Sequence, residues 1–291
     1  MPRVRRLLQL ATDLALAGVA LARARGHIDL SFATYGRRIA LSMLLHGERG
    51  ATELLVNPVS SMRYWEFPFA WAAIPTGATR CLDVASPRLF ALRAAEELRM
   101  DVLMINPDER DAAETRRLAQ FRRLPIKVDA LRIQELREAG FDCVWSISVV
   151  EHVAGDEGDR DAMRQMFGAL RPGGRLIVTV PVDRTFRLEY RQHDEYGLTE
   201  ETGRVFFQRF YDLEAIQNRL VTAVGVAPSV VGWFGEKVAG SWDKYEAAWR
   251  SGQQRVTVSD PERMAGQYQE FASWAAMPGI GVAGLVFDKS A

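Results

Sequence analysis

From about residue 78 the chain alternates short apolar runs with helix-length stretches, and this alternation constrains the fold more than any other feature. The runs are Thr79 to Val84, Asp101 to Ile105, Ile126 to Val128, Phe141 to Ser148 and Arg175 to Pro181, with later ones at Ser229 to Trp233 and Gly281 to Phe287. Helical stretches from Phe90 to Arg99, Asp111 to Phe121 and Arg160 to Leu170 lie between the first five. The third stops at Arg171-Pro172-Gly173-Gly174, because proline and glycine cannot continue it. Phe141 to Ser148 is nearly all apolar, as a central strand covered on both faces must be. Strand–helix alternation implies a parallel sheet with right-handed crossovers. The expected fold class is therefore α/β, a Rossmann-like, seven-stranded, mostly parallel sheet with helices on both faces. Ligands of such sheets sit at the carboxyl ends of the strands, so Asp83, Asn106, Asp129 and Ser148 are expected to converge on one site.

Composition narrows the function classes. The 291 residues carry 37 basic and 37 acidic side chains, so no net charge draws the chain to nucleic acid. Cys81 and Cys143 are the only cysteines, too few and wrongly spaced for a disulfide scaffold or a zinc site. Buried reduced thiols in a cytoplasmic protein are expected, with no metal. Nothing resembles a phosphate-binding loop, a hydrolase elbow or a two-histidine metal helix.

The first 75 residues read as an N-terminal helical cap, and 76–291 as the main domain with additions at 183–212 and 236–278. Arg3, Arg5 and Arg6 followed by an apolar stretch look like a signal peptide, but Asp13 interrupts the stretch. Apolar residues at 7, 8, 11, 14, 15, 18, 21 and 22 fit one helical stripe, expected to cap the domain. Weak contact with a membrane surface is the alternative for this helix; no segment is a stable membrane span. The aromatic segment Met62 to Trp71 is expected to pack on the core or to floor a pocket. The forty residues before the last run are expected to be a helical insertion, over the site or at a contact between two copies of a homodimer.

Leu82-Asp83-Val84-Ala85-Ser86-Pro87-Arg88-Leu89, the strand end Ser146 to Val153, and Arg171-Pro172-Gly173-Gly174 together resemble the class I S-adenosylmethionine (SAM)-dependent methyltransferases, especially methyltransferase type 11. The resemblance covers about 79–182 well and the last strand fairly. It implies SAM as cofactor and an antiparallel pairing of the last two strands. The family's first motif is an acid, one residue, then Gly-x-Gly-x-Gly, and here Ala85, Pro87 and Leu89 stand at the glycine places. Two readings of that turn stay open: it accepts SAM with altered geometry, or the protein is a non-catalytic binding or scaffold member of the fold with a rebuilt turn.

By the same resemblance, Asp83, Ala85 and Ser86 face the amino-acid end of SAM, and Ser146 and Ser148 its methionine side. Asn106 takes the place of the usual ribose-binding acid, with Asp108 near enough to substitute. Asp129, followed by Ala130, matches the adenine-binding position. Asp83 bonding the amides of its own turn is the competing role.

Methyl transfer needs nucleophile, methyl and sulfur in line, and an oxygen or nitrogen acceptor also needs a base. His193, within Tyr190 to Gly197 and beside Asp194 and Glu195, is the candidate catalytic base. Glu151, His152, Tyr190, Tyr196, Arg209 and Tyr211 are candidates for substrate binding, with a capping role open for His152 and a loop-locking role for Arg209 and Tyr211. The expected function is methyl transfer to a small-molecule acceptor, a sugar or secondary metabolite. A nucleotide-binding oxidoreductase is disfavoured because the turn lacks Gly-x-Gly-x-x-Gly.

Overall fold

The computed structural model describes residues 2–251 and 254–291, with side chains at 8–251 and 257–291. The chain divides into two compact units. The larger holds 69–233, 272–274 and 281–291, and the smaller holds 1–68, 234–271 and 275–280. The N-terminal helices and the insertion before the last strand, read separately above, thus belong to one unit.

In the larger unit the expected alternation is present. β1 (Arg80–Val84), α5 (Leu89–Glu97), β2 (Asp101–Ile105), α6 (Glu109–Arg122), β3 (Ile126–Asp129), β4 (Phe141–Ile147), α7 (Gly158–Ala169) and β5 (Leu170–Val182) follow one another, after helices α1 to α4 described below. The sheet order is β3-β2-β1-β4-β5-β10-β8-β9, with β8 at Val230–Glu236, β10 at Gly281–Asp288 and the last strand, β9 at Tyr268–Phe271, within the smaller unit. β1 to β5 pair in parallel, and β10 runs antiparallel to β5. Eight strands replace the expected seven. The extra one, β9, reads Tyr-Gln-Glu-Phe and lacks the apolar run that marks a buried strand.

The polar 183–212 insertion is a β-hairpin of β6 (Arg187–His193) and β7 (Thr202–Phe210). Its charged composition disguised it. Arginines cover its aromatic rings: Arg187 lies over Phe210 at 3.7 Å, Arg204 over Tyr190 at 4.3 Å and Arg191 over Phe207 at 4.4 Å. Long arginine stems can thus stand where apolar side chains would be expected.

Trp145, fully buried on β4, anchors this core, with Phe90 edge-on at 5.3 Å and Trp71 edge-on to Phe90 at 6.0 Å. Phe69 lies where a Cβ at Gly284 of β10 would be, which explains a glycine in the middle of a buried strand. Those two contacts place the end of the aromatic segment in the core. Cys81 and Cys143 are buried, unbridged neighbours on β1 and β4.

The smaller unit contains α1 (Pro2–Ala24), α2 (Ser31–Leu45), α3 (Ala51–Val56) and the start of α4 (Arg63–Ala73). The expected stripe on α1 is corrected. Ala17, Ala20 and Ala24 are buried, whereas Leu8, Leu16 and Val19 are 64%, 46% and 48% exposed. The expected positions Leu8, Ala11, Ala15, Gly18 and Ala22 are exposed, and the buried face is the one that carries Ala17, Ala20 and Ala24. The side chains of Arg3, Arg5, Arg6 and Leu7 lie outside the described residues. Among the described residues no helix is long and apolar enough to cross a membrane. A stack of Trp65, Phe234 and Tyr268, with Ser61 N–H donating to Asp260 at 2.7 Å, ties the insertion to the N-terminal helices.

Candidate active site at the carboxyl edge of the sheet

Two central strands end in backbone that side-chain-bearing residues avoid. Ala85 after β1 has φ 51° and Ser148 after β4 has φ 50°, both left-handed. Such a residue costs about 1 kcal/mol or more and persists where its surroundings hold it. Here the holding bonds are visible. Ala85 N–H donates to Ile105 O at 2.8 Å, Ser86 N–H to Asp83 Oδ1 at 2.8 Å, and Ile147 N–H to Ser86 Oγ at 3.0 Å. Ser148 N–H donates to Thr179 Oγ1 at 3.1 Å. Ser86 is fully buried, and its hydroxyl ties the β1 turn to β4.

Asp83 is fully buried, and its Oδ2 has no hydrogen-bond partner. Burial pushes its carboxyl up to about 7, with nearby Trp145 and the Ser86 bond pulling the other way and the charge of Asp111 adding to the rise. Its local role, bonding the amide of its own turn, is present. Ser146, also fully buried, has an unpartnered hydroxyl at the same strand ends.

At the end of β2, Asn106 Oδ1 accepts from Asp108 N–H at 2.9 Å, and its Nδ2 donates to Asp111 Oδ2 at 2.8 Å. Asp108 is the N-cap of α6, accepting from Arg110 N–H at 2.9 Å, which is the use an aspartate at that position most readily finds. Asp111 pairs through its other oxygen with Arg88 of the β1 turn. Arg88, Arg110 and Asp111 were missed in the sequence because they lie off the strand ends; an acid in the first turn after Asn106 was the available signal.

A cavity of about 490 Å³ opens beside this cluster, lined by Asp108, Arg110, Ala130, Arg132, Tyr196 and Leu198 among others. Arg110 donates to Tyr196 O at 3.1 Å and so holds the tip of the β6–β7 hairpin at the cavity. Ala130 lines the cavity, whereas the Asp129 carboxylate pairs with Lys127 Nζ at 2.7 Å.

On the other side of β4, a short 3-10 turn at Val150–His152 presents His152 to the hairpin. His152 Nδ1 lies 2.7 Å from Phe207 O, and Nε2 lies 3.1 Å from the Tyr196 hydroxyl. A carbonyl oxygen only accepts, so Nδ1 carries the hydrogen and Nε2 presents its lone pair to Tyr196. The imidazole is packed edge-on against both Tyr196 and Phe207. Glu151 is buried, with Oε1 3.8 Å from His152 Nε2.

Three expectations are corrected. His193 is exposed near the end of β6, paired with Thr202, where a base cannot work shielded from water. Arg209 is buried and donates to Glu151 O at 3.3 Å, Val153 O at 2.7 Å and Gly155 O. Tyr211 is buried and donates to Asp159 at 2.9 Å; burial and then the Asp159 charge hold its hydroxyl well above the usual range. Arg209 thus ties down the loop behind His152, and Tyr211 is bonded to the start of α7. Tyr190, partly exposed beneath Arg204, has no described role at the cavity.

SAM carries a ribose diol, an ammonium and a sulfonium, and the donor set here suits them. The buried Asp83 at the end of β1 and the cavity-lining Asp108 beyond β2 supply carboxylates at this edge of the sheet. Acids there would hold the cofactor's charged and hydroxyl groups, and it would supply an electrophilic methyl group.

Comparisons with known proteins agree with this geometry in part. Residues 82–178, 97 of 291, match the methyltransferase domain family Methyltransf_11. No curated protein matches the sequence. Among solved structures, the [4+2]-cyclase SpnF is 20% identical over 77% of this chain and 78% of its own, with a TM-score of 0.48. Coclaurine N-methyltransferase bound to N-methylheliamine and S-adenosylhomocysteine is 12% identical over 76% and 70%, with a TM-score of 0.49. Geranyl diphosphate C-methyltransferase from Streptomyces coelicolor is 10% identical over 77% and 78%, with a TM-score of 0.47. At these identities and scores the likenesses say nothing of what this chain binds. The family match supports a SAM-dependent methyltransferase domain within the larger unit, whose strands β1 to β5 are parallel and whose β10 is antiparallel to β5.

Proposed function

We propose that this domain methylates an oxygen or nitrogen of a small-molecule acceptor, with His152 taking the acceptor's proton. The observation that carries the reading is the fixed tautomer of His152. Phe207 O holds the hydrogen on Nδ1, which leaves the Nε2 lone pair pointing at the Tyr196 hydroxyl. An imidazole titrates near neutrality and needs no strong partner to act as a base there.

The acceptor loses its proton as its heavy atom takes the methyl carbon from the sulfonium sulfur, which leaves as a thioether, and one proton ends on His152 Nε2. It travels directly or through the Tyr196 hydroxyl, which gives up its own proton to Nε2 as it receives the new one. Arg209 fixes the height of the loop behind His152, and Arg110 fixes the loop bearing Tyr196. Alignment of the acceptor then contributes the larger part of the rate. Two buried, unbridged thiols suit a reducing, cytoplasmic setting.

Transfer of labelled methyl from SAM to a panel of sugars, phenols and amines tests this reading. With an acceptor in hand, His152→Asn should slow turnover by about 10²-fold while S-adenosylhomocysteine binds as in the wild type. The wild-type rate should fall toward acid pH, and the variant should lose that limb. A folded His152→Asn protein with the wild-type rate removes the base.

A further inference from the structure

We infer that the outward half of α1 rests on an anionic membrane surface, with the helix lying flat among the lipid headgroups. The inference is independent of the methyl-transfer reading, since α1 belongs to the smaller unit.

The argument begins with what a surface helix shows to water. The half turned away from the core carries charged and polar side chains, because solvent is what it faces. Helix α1 inverts that rule. From residue 8 to residue 22 its exposed positions are Leu8, Leu16 and Val19, four alanines or glycines, and the uncharged Gln9 and Thr12. The Thr12 hydroxyl is spent on Leu8 O at 2.9 Å. Asp13, the one acid of the helix, is half-buried on the row of Ala17, Ala20 and Ala24. An uncharged, largely apolar strip about 21 Å long therefore faces outward, at 1.5 Å of rise per residue.

A second copy of the chain and a lipid surface both fit such a strip, and charge decides between them. Residues 1–28 carry Arg3, Arg5, Arg6, Arg23 and Arg25 against the single acid Asp13, in a chain with no net charge. These arginines fall at the two ends of the helix, and the strip between them holds none. Two copies packed strip to strip, in either direction, would bring arginine-bearing ends together with no acid on the strip between them. An anionic bilayer takes the apolar strip against its acyl chains and the arginines among its headgroups. Arg25 is exposed just past the helix end. Arg23 pairs with Glu262 at 2.7 Å, but the two side chains are 65% and 41% exposed, and a pair so open to water is worth little.

Sedimentation of the full chain with lipid vesicles tests this surface. Phosphatidylcholine vesicles with about a quarter phosphatidylglycerol should bind it about tenfold or more tighter than pure phosphatidylcholine. Raising the salt to about 0.5 M should remove most of that difference. Leu16→Glu/Val19→Glu should weaken binding to the anionic vesicles by about tenfold or more. Arg25→Glu should weaken it by a smaller factor. All three positions are exposed, so the melting temperature of each variant should stay at the wild-type value. Equal binding to neutral and anionic vesicles, or binding to neither, overturns the inference. A folded Leu16→Glu/Val19→Glu protein that binds as the wild type does so too. A wild-type dimer that the same double substitution dissolves would overturn it in favour of a contact between two copies.

Discussion

Asp83 and Asp142 lie on neighbouring strands at opposite edges of one sheet, and they are used in opposite ways. Asp142, at the amino edge of β4, accepts from Thr79 N–H at 2.8 Å, Thr79 Oγ1 at 3.1 Å, Arg80 N–H at 2.9 Å and Arg171 Nε at 2.5 Å. Burial alone would raise its carboxyl, but those bonds outweigh it and hold the group well below the usual carboxylate range. Asp83, at the carboxyl edge of β1, has one oxygen without a partner and a carboxyl pushed up to about 7 by burial. The first acid is fully spent on the fold. The second sits beside strained backbone at Ala85 and Ser148, with the Trp145 indole near its other oxygen, and is held by fewer bonds.

The largest effect should come from the satisfied acid. Asp142→Ala removes four hydrogen bonds at a partly exposed site, so stability should drop by about 1–2 kcal/mol in denaturant melts, while cofactor affinity stays at the wild-type value. A drop in affinity without a drop in stability would reverse the roles of the two edges.

A smaller effect of opposite sign is expected at Asp83. The folded carboxyl titrates near 7 against an ordinary value of 3.8, so below 3.8 both states are protonated and the acid costs nothing. Between those values the unfolded chain ionises first, and above the folded value the full cost is present. Asp83→Asn keeps an oxygen for Ser86 N–H and removes that cost. It should raise the melting temperature at about pH 8, by a gain on the order of 1 kcal/mol that fades toward pH 4. A variant less stable than wild type at every pH would show that the acid supports the fold after all.

The sheet was legible in the sequence because parallel strands covered on both faces must be apolar along their length, as Phe141 to Ser148 is. Strand ends then pointed to Asp83 and Asn106 without structural help. What stayed hidden had physical reasons. β6 and β7 bury aromatic rings under arginine stems, which erases the apolar alternation that marks a half-buried strand. Helix α1 buries Ala17, Ala20 and Ala24, a face that its apolar periodicity does not single out. His193 and His152 look equally basic in one dimension, and only the carbonyl of Phe207, brought back by the hairpin, distinguishes them. Asp111 was hidden because a carboxylate on a helix face reads as a solvated charge until Asn106 and Arg88 are seen to converge on it.

The central claim is that the carboxyl edge of the sheet is the cofactor site, and a crystal grown or soaked with S-adenosylhomocysteine tests it most directly. Density is expected at the ends of β1 to β3, running from the Ala85 turn past Asp108 into the cavity lined by Arg110, Ala130 and Tyr196. A groove of about 580 Å³ at the amino edge, lined by Arg80, Asp101, Ile126, Lys127 and Glu138, provides the internal control. Ligand in that groove, with the carboxyl edge empty at saturating concentration, would contradict the account.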